Sequence, residues 1–379
     1  MTSYRILCIL LVLSFQMMGQ KLDISGYVRE LPLTFADREF RNVRMDNIVH
    51  NRLNVRWDIN EKLTFHGGQR SRFFWGSMAE NPAFREFLRQ DQGILPFSHL
   101  IYHENNRVIH TITDRFFFDW QKGNWQVRVG RQRINWGINT VTNPNDLFNN
   151  YSFFDFDYDE RPGADAVRVT YHTGALSRWE VAYSPGFTVR ESVVAGLRSF
   201  NKWGYDFQYI AGYFYNRAAV GGGWAGNLRK LGFKGEVTYF HDLEPQDNIE
   251  PNNIVLALSL DYRFQNGMFW VSEVVFNQQQ GGLPPRNLVL IEPLRADNIT
   301  FSDVAIFSNL TYPIDLVNSV GLAGFYFPNE QTVFISPNYS RSLHKNLDLT
   351  MLSQLFLGAD DSSLAGAGYN LIVMIKWSF

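Results

Sequence analysis

The feature that most restricts this chain is a period of two. Apolar and polar side chains alternate over long stretches, the spacing that puts every second residue on one face of a strand. At the C-terminus Tyr369, Leu371, Val373, Ile375, Trp377 and Phe379 share one parity, and Asn370, Lys376 and Ser378 the other. Ile254, Leu256, Leu258, Leu260 and Tyr262 repeat the layout against Ser259, Asp261 and Arg263. Phe233, Val237 and Tyr239 do so against Lys234, Glu236 and Thr238, and Leu347, Leu349, Met351, Leu355 and Leu357 against Asp348, Thr350 and Gln354. Helical periodicity is scarce. Beyond residue 20 the longest clean apolar run, 254–260, is far short of the roughly 20 residues of a membrane helix.

Strands of this kind can be drawn at 49–59, 62–74, 108–119, 124–133, 164–173, 176–184, 202–215, 217–226, 231–241, 253–265, 267–278, 302–312, 316–327, 331–340, 345–357 and 367–379, with 22–30 as a candidate extra. Short turns such as Gln265-Asn266-Gly267, Pro328-Asn329-Glu330 and His344-Lys345-Asn346 join some of them, while long polar or Pro/Gly-rich connections fall near 75–107, 134–163, 185–201, 242–252 and 279–300. Short turns alternating with long loops are the layout of a membrane barrel. In hydrocarbon an unpaired backbone group costs several kcal/mol, so a spanning sheet must close on itself. The expected fold is therefore all-β: a transmembrane antiparallel up-and-down β-barrel of about 16 strands, with 14–18 as the range. The barrel proper is 48–379. Segment 21–47 is an extra strand or a small insert in the lumen.

Composition agrees. The 379 residues are 45% hydrophobic and 16% aromatic but only 19% charged. Trp57, Trp120, Trp125, Trp179, Trp203, Trp270 and Trp377 fall at strand ends, as in the aromatic girdles of membrane barrels. The formal net charge of −2 gives no basic footprint for nucleic acid. Residues 1–20 read as a secretory signal: Arg5, then a short apolar core, then Gly19 before a cut after Gln20. Cys8, the one cysteine, lies inside it, so a mature chain starting after Gln20 has neither a disulfide nor a lipid anchor. The expected location is the Gram-negative outer membrane, among lipid and lipopolysaccharide. The strand ending in Trp377 and Phe379 is similar to the terminal signal read by the barrel assembly machinery.

The most distinctive stretch is Val129-Gly130-Arg131-Gln132-Arg133-Ile134-Asn135-Trp136-Gly137, followed by Asn143-Pro144-Asn145-Asp146-Leu147-Phe148 and Arg161-Pro162-Gly163-Ala164-Asp165. It resembles segments of uncharacterised porin-like outer-membrane barrels and, more distantly, the alginate-export and carbohydrate-porin group. The resemblance implies a barrel that passes small hydrophilic or anionic solutes. No long basic ladder suited to an anionic polysaccharide is visible in the sequence.

Around this motif lie the candidate pore residues. Arg128 and Arg168 have the parity opposite to Val127, Val129, Val167 and Val169, so they face the lumen if the valines face lipid. Inward placement is favoured, because an arginine facing mid-bilayer lipid costs about 2–4 kcal/mol. Arg131 and Arg133 share the valines' parity, which requires a bulge or a strand that has already ended. Arg52, Arg56, Arg70, Lys234, Glu236, Asp261, Arg263 and Lys376 are further lumen candidates, or members of ion-pair ladders that fill the lumen. Loop 134–163 carries Asp146, Asp155, Asp157, Asp159 and Glu160 against Arg161. Folded toward lumenal arginines, it would form a charged constriction; alternatively it is a solvated external loop. Its acidic run also has the oxygen density of a calcium site but lacks the glycine and spacing of one. No cofactor or metal is expected.

His99 and His103 form the one tight histidine pair, without the third ligand or base that catalysis needs, and no enzyme is expected. The leading function is a channel for small hydrophilic solutes. The alternative is a non-conducting barrel with an assembly, adhesion or anchoring role.

Overall fold

The computed structural model describes residues 21–91, 93–149, 162–244, 252–278, 295–300, 302–358 and 368–379. The N-terminal 1–20 segment and the acidic run at 155–160 lie outside them.

Nineteen strands form one antiparallel sheet. They are β1 (Lys21–Ala36), β2 (Val43–Asn60), β3 (Leu63–Gly76), β4 (Ser98–Glu104), β5 (Arg107–Lys122), β6 (Trp125–Gln132), β7 (Ala164–Gly174), β8 (Ser177–Ser184), β9 (Val193–Lys202), β10 (Tyr205–Phe214), β11 (Arg217–Leu228), β12 (Leu231–Asp242), β13 (Asn252–Arg263), β14 (Phe269–Asn277), β15 (Val304–Pro313), β16 (Asn318–Phe327), β17 (Thr332–His344), β18 (Leu347–Gly358) and β19 (Tyr369–Ser378). Each wall strand pairs with its neighbours, and β1 pairs with both β2 and β19. The seam is sealed by reciprocal bonds of 3.0 Å between the backbones of Gly26 and Phe379. Among the described residues the ring of wall strands closes without a free edge, as a sheet in hydrocarbon must.

Eighteen strands make the ring, because β3 pairs directly with β5 and β4 only flanks β5. All sixteen drawn strands are present. The expected count of about sixteen is corrected upward by β1, which makes segment 21–36 wall rather than insert, and by β9. β9 escaped notice because it lacks alternation: Val193, Ala195 and Leu197 are buried on the inside while Val194 is exposed outside. Both faces are apolar, so a period of two leaves no trace.

The connections at one end of the barrel are all short, whereas the other end carries the long ones beside short turns such as Tyr215-Asn216. Between β3 and β4 the chain forms α1 (Ser77–Glu80) and α2 (Pro82–Arg89). Asn81 caps α2, its side chain accepting from the amide of Ala83 at 2.9 Å, and Pro82 occupies the first turn, where its missing N–H costs nothing. Phe84 and Leu88, one turn apart, pack on Leu31, Leu33, Ile48 and Phe74 of the inner wall. Asp46 fixes the entry to α1 by accepting from the amide of Met78 at 2.7 Å.

Strand β6 ends early. Gly130 has φ +120°, and a Cβ there would stand 2.2 Å from the Phe116 carbonyl oxygen, so only glycine fits. Above this point β4 takes over as the partner of β5. Arg131 fills the junction, bonded to Asp165 at 2.7 Å and to Asp91 at 2.9 Å. It is thus a wall residue with valine-like parity, covered by Asp91, Leu95 and Phe97.

Candidate functional site

After β6 the chain turns into the barrel. Residues 134–149 run along the inner face of β8 to β14, and Ile134, Trp136 and Leu147 join a buried cluster with Ala182, Leu197, Ile210 and Phe240. Such a segment has no ladder partner for its amides, and buried amides must be paired. Two glutamates of the wall, Glu236 and Glu273, accept several of them, and a third, Glu180, takes a side-chain donor.

Glu180 on β8 accepts from the Trp136 indole at 2.6 Å. Glu236 on β12 accepts from the amides of Ile138, of Asn139 at 2.7 Å and of Asn145 at 2.9 Å. Glu273 on β14 accepts from the amide of Thr142 at 2.9 Å and from its hydroxyl. Charge-assisted bonds of this kind are the strong ones. Gln208 donates to the Trp136 carbonyl at 2.7 Å, and Thr238 donates to the Asn145 side chain at 2.7 Å. Gly221 lets the loop sit close: a Cβ there would lie 2.7 Å from the Asn145 Oδ1.

The described half of the loop therefore reverses the expected polarity. Carboxylates belong to the wall, and the loop offers N–H donors. Asp146 is fully buried. Asp155, Asp157, Asp159 and Glu160 lie outside the described residues, as does the calcium question they raised.

Beside the loop, on β6, β7 and β8, lies a cavity of about 540 Å³ lined by Arg128, Arg133, Arg168, Arg178, His172 and Glu180, among others. Register puts Arg128 directly opposite Arg168, and Thr170 opposite Glu180. Like charges facing each other across a ladder repel. Arg128 is held by Asp119 at 2.7 Å, whereas Arg168 and Arg178 share Glu180, at 3.6 and 3.3 Å. Among the described residues, Arg128, Arg168 and Arg178 thus share two carboxylates, Asp119 and Glu180. Arg128 and Arg168, expected in the lumen, are joined here by Arg133 and Arg178, which the sequence reading did not place there.

Other candidates scatter. Arg52 is 2% exposed and makes two bonds to Asp114, of 2.8 and 3.0 Å. Arg70 is buried on the neighbouring strand. Arg56 pairs with Asp58 in an exposed position, Lys234 with Asp261 at 3.1 Å, and Arg263 stacks over Phe269. Lys376 sits over the Tyr27 ring and Trp377 against Phe379. His99 and His103 are exposed on β4, where His103 bonds Arg89 at 3.2 Å. Sequence reasoning missed Glu180, Glu273, Arg133, Arg178 and His172. The available signal was a lone acid inside an apolar strand, as in Trp179-Glu180-Val181.

No family model matches the sequence, and no curated protein does. By fold, the chain is similar to OccAB1 of Acinetobacter baumannii, with 11% identity, a TM-score of 0.60 and coverage of 94% of this chain and 96% of that one. It is also similar to the outer membrane protein OprD of Pseudomonas aeruginosa, with 8% identity, TM-score 0.58 and coverage of 94% and 93%. A third likeness is to Salmonella typhi OmpF in complex with daunomycin, with 12% identity, TM-score 0.52 and coverage of 95% and 98%. At these identities the likeness is one of architecture, a single closed antiparallel barrel matched over nearly its whole length.

Proposed function

We propose that this chain is an outer-membrane channel for small hydrophilic solutes, with a preference for anions, in which loop 134–163 narrows the lumen. The observation that carries the reading is the pairing of an inward loop, fastened to one wall, with an arginine-lined cavity beside it. The barrel exterior supports a bilayer setting, since Val129, Val181, Leu258, Val274 and Leu371 are exposed on it. Similarity to OprD and OmpF folds is consistent with this. Arg128 and Arg168 are the pore-lining residues in this reading, joined by Arg133 and Arg178. Glu236 is reassigned to holding the loop, and Arg52 to the wall. The remaining partners are lipopolysaccharide and the assembly machinery that reads the Trp377–Phe379 strand.

Planar-bilayer recording tests it. Wild type should open ion channels, and Arg128→Gln with Arg168→Gln should lower the anion-to-cation permeability ratio several-fold. Protein that inserts but conducts nothing would sink the proposal. The second reading, a non-conducting barrel, draws on α2 and the Arg52–Asp114 pair, which occupy the inner face of β1 to β5.

A further inference from the structure

Toward the short-turn end of the barrel, a cation stands in line with the rings of the aromatic belt. Trp125 of β6, Tyr171 of β7, Trp179 of β8, Arg198 of β9 and Tyr209 of β10 pair in direct register, one beside the next across five strands. The row lies on the outer face. Trp125, Trp179 and Tyr209 are 50%, 55% and 60% exposed, and Arg198 has the parity of the exposed Val194 on its own strand. The Arg198 guanidinium lies over the Trp179 ring, 5.0 Å from its centroid, and donates to the Thr173 hydroxyl of β7 at 2.9 Å. Four positions further along β9, on the same face, the Lys202 ammonium sits over the Trp203 ring at 4.3 Å.

This part of the belt is rich in donors and poor in acceptors. Indole, guanidinium and ammonium groups can only donate. Elsewhere the wall meets its own belt donors: the Trp270 indole donates to Ser308 at 3.1 Å, the Tyr205 hydroxyl to the Asn227 carbonyl at 2.9 Å and the Tyr339 hydroxyl to Asn318 at 2.7 Å. Among the described residues the Trp125 and Trp179 indoles make no hydrogen bond, and neither Arg198 nor Lys202 makes an ion pair. The nearby acids, Glu180 on β8 and Asp206 on β10, have the inward parity. Arg341, which has outward parity on β17, differs in having Asp315 as a charged neighbour.

We propose that this patch binds the phosphate of an anionic phospholipid, a reading that rests on the barrel spanning a bilayer. The short turns of such a barrel face the periplasm and its aromatic belt marks headgroup depth, so the row meets the phospholipid headgroups of that leaflet. A phosphodiester accepts hydrogen bonds and has none to give, which complements two indoles, a guanidinium and an ammonium. Arginine–phosphate bonds are charge-assisted and so among the strong ones. Stacking on Trp179 and the bond to Thr173 order the guanidinium before a lipid arrives, and that preorganisation lowers the cost of binding. An ethanolamine headgroup would bring an ammonium for which this face has no carboxylate. The patch therefore selects a lipid of net negative charge, with Lys202 adding positive potential beside it.

Native mass spectrometry of the whole barrel in mild detergent, offered equal amounts of phosphatidylglycerol and phosphatidylethanolamine, tests this. The unaltered protein should retain phosphatidylglycerol several-fold over phosphatidylethanolamine, a result that needs no variant. Arg198→Gln should abolish the preference, and Arg341→Gln, which removes the same charge from another outward position, should leave it intact. Equal retention of the two lipids, a preference that survives Arg198→Gln, or equal loss in Arg341→Gln would each overturn the proposal. Displacement of the lipid by inorganic phosphate would do so too, by making the patch a site for soluble anions. The bilayer reading is scored separately, in reconstituted vesicles whose lipids carry bromine in their acyl chains. Tryptophan fluorescence should be quenched with either headgroup; no quenching defeats the bilayer reading itself, whereas quenching without headgroup preference defeats the lipid site alone.

Discussion

The two halves of the barrel solve the same problem in opposite ways. Along β8 to β14 the inner face is largely apolar and carries a loop, and its charged groups Glu180, Glu236 and Glu273 serve as acceptors for loop donors. Along β1 to β5 the inner face carries α2 at one level and buried ion pairs at another, with Arg52 and Asp114 each 2% exposed. One wall places its charge in bonds to a long connection, and the other in bonds to itself. What faces the lumen is therefore set by what lies on the wall, and the exterior follows a separate rule imposed by its surroundings.

Breaking the loop side should have the largest effect. Replacing Glu236 and Glu273 together by alanine removes acceptors from at least five loop donors. At about 1–3 kcal/mol for each buried donor left unmet, the loop should leave the wall. Limited proteolysis should then cut within 134–149, and channel conductance should rise; an unaltered digestion pattern would show that apolar packing alone holds the loop. The opposite wall should respond next. Arg52→Ala removes both Arg52 bonds to the buried Asp114 carboxylate, at a cost of about 3–5 kcal/mol, read as a lower denaturant midpoint. Conductance should stay at the wild-type level, which would separate a wall role from a pore role.

The smallest effect belongs to neither wall. Asp315, in the turn before β16, is held below the ordinary carboxylate range by the Asn318 side chain and by the amides of Val317 and Asn318. Its contribution is present above the unfolded pKa and is lost as pH falls through the lowered folded value. Asp315→Ala should therefore make stability slightly less dependent on pH in the acidic range, measured as the shift of the unfolding midpoint with pH.

The barrel was legible in the sequence wherever one face met water and the other did not, as on β13 and β19. It was illegible where that contrast vanished. On β9 the loop covers the inner face and makes it apolar, and β4 is a short strand that owes its place to the early end of β6. The parity of Arg128 and Arg168 could be read from adjacent valines. The anchors could not, because Glu236 meets Asn139 and Asn145 more than ninety positions away. Arg131 shows both sides: its parity announced an exception at Gly130, but the covering residues Asp91, Leu95 and Phe97 come from a connection no local pattern describes.

Glu180 belongs to both systems at once. Its Oε1 receives the Trp136 indole, and the same carboxylate balances Arg168 and Arg178. Reciprocity follows from equilibrium alone: if an anion in the arginine cavity changes the hold of Glu180 on Trp136 by some factor, the loop's docked state changes affinity for that anion by the same factor. If the barrel is the channel proposed above, cargo and aperture are then linked variables, and the solute itself biases the width of its path.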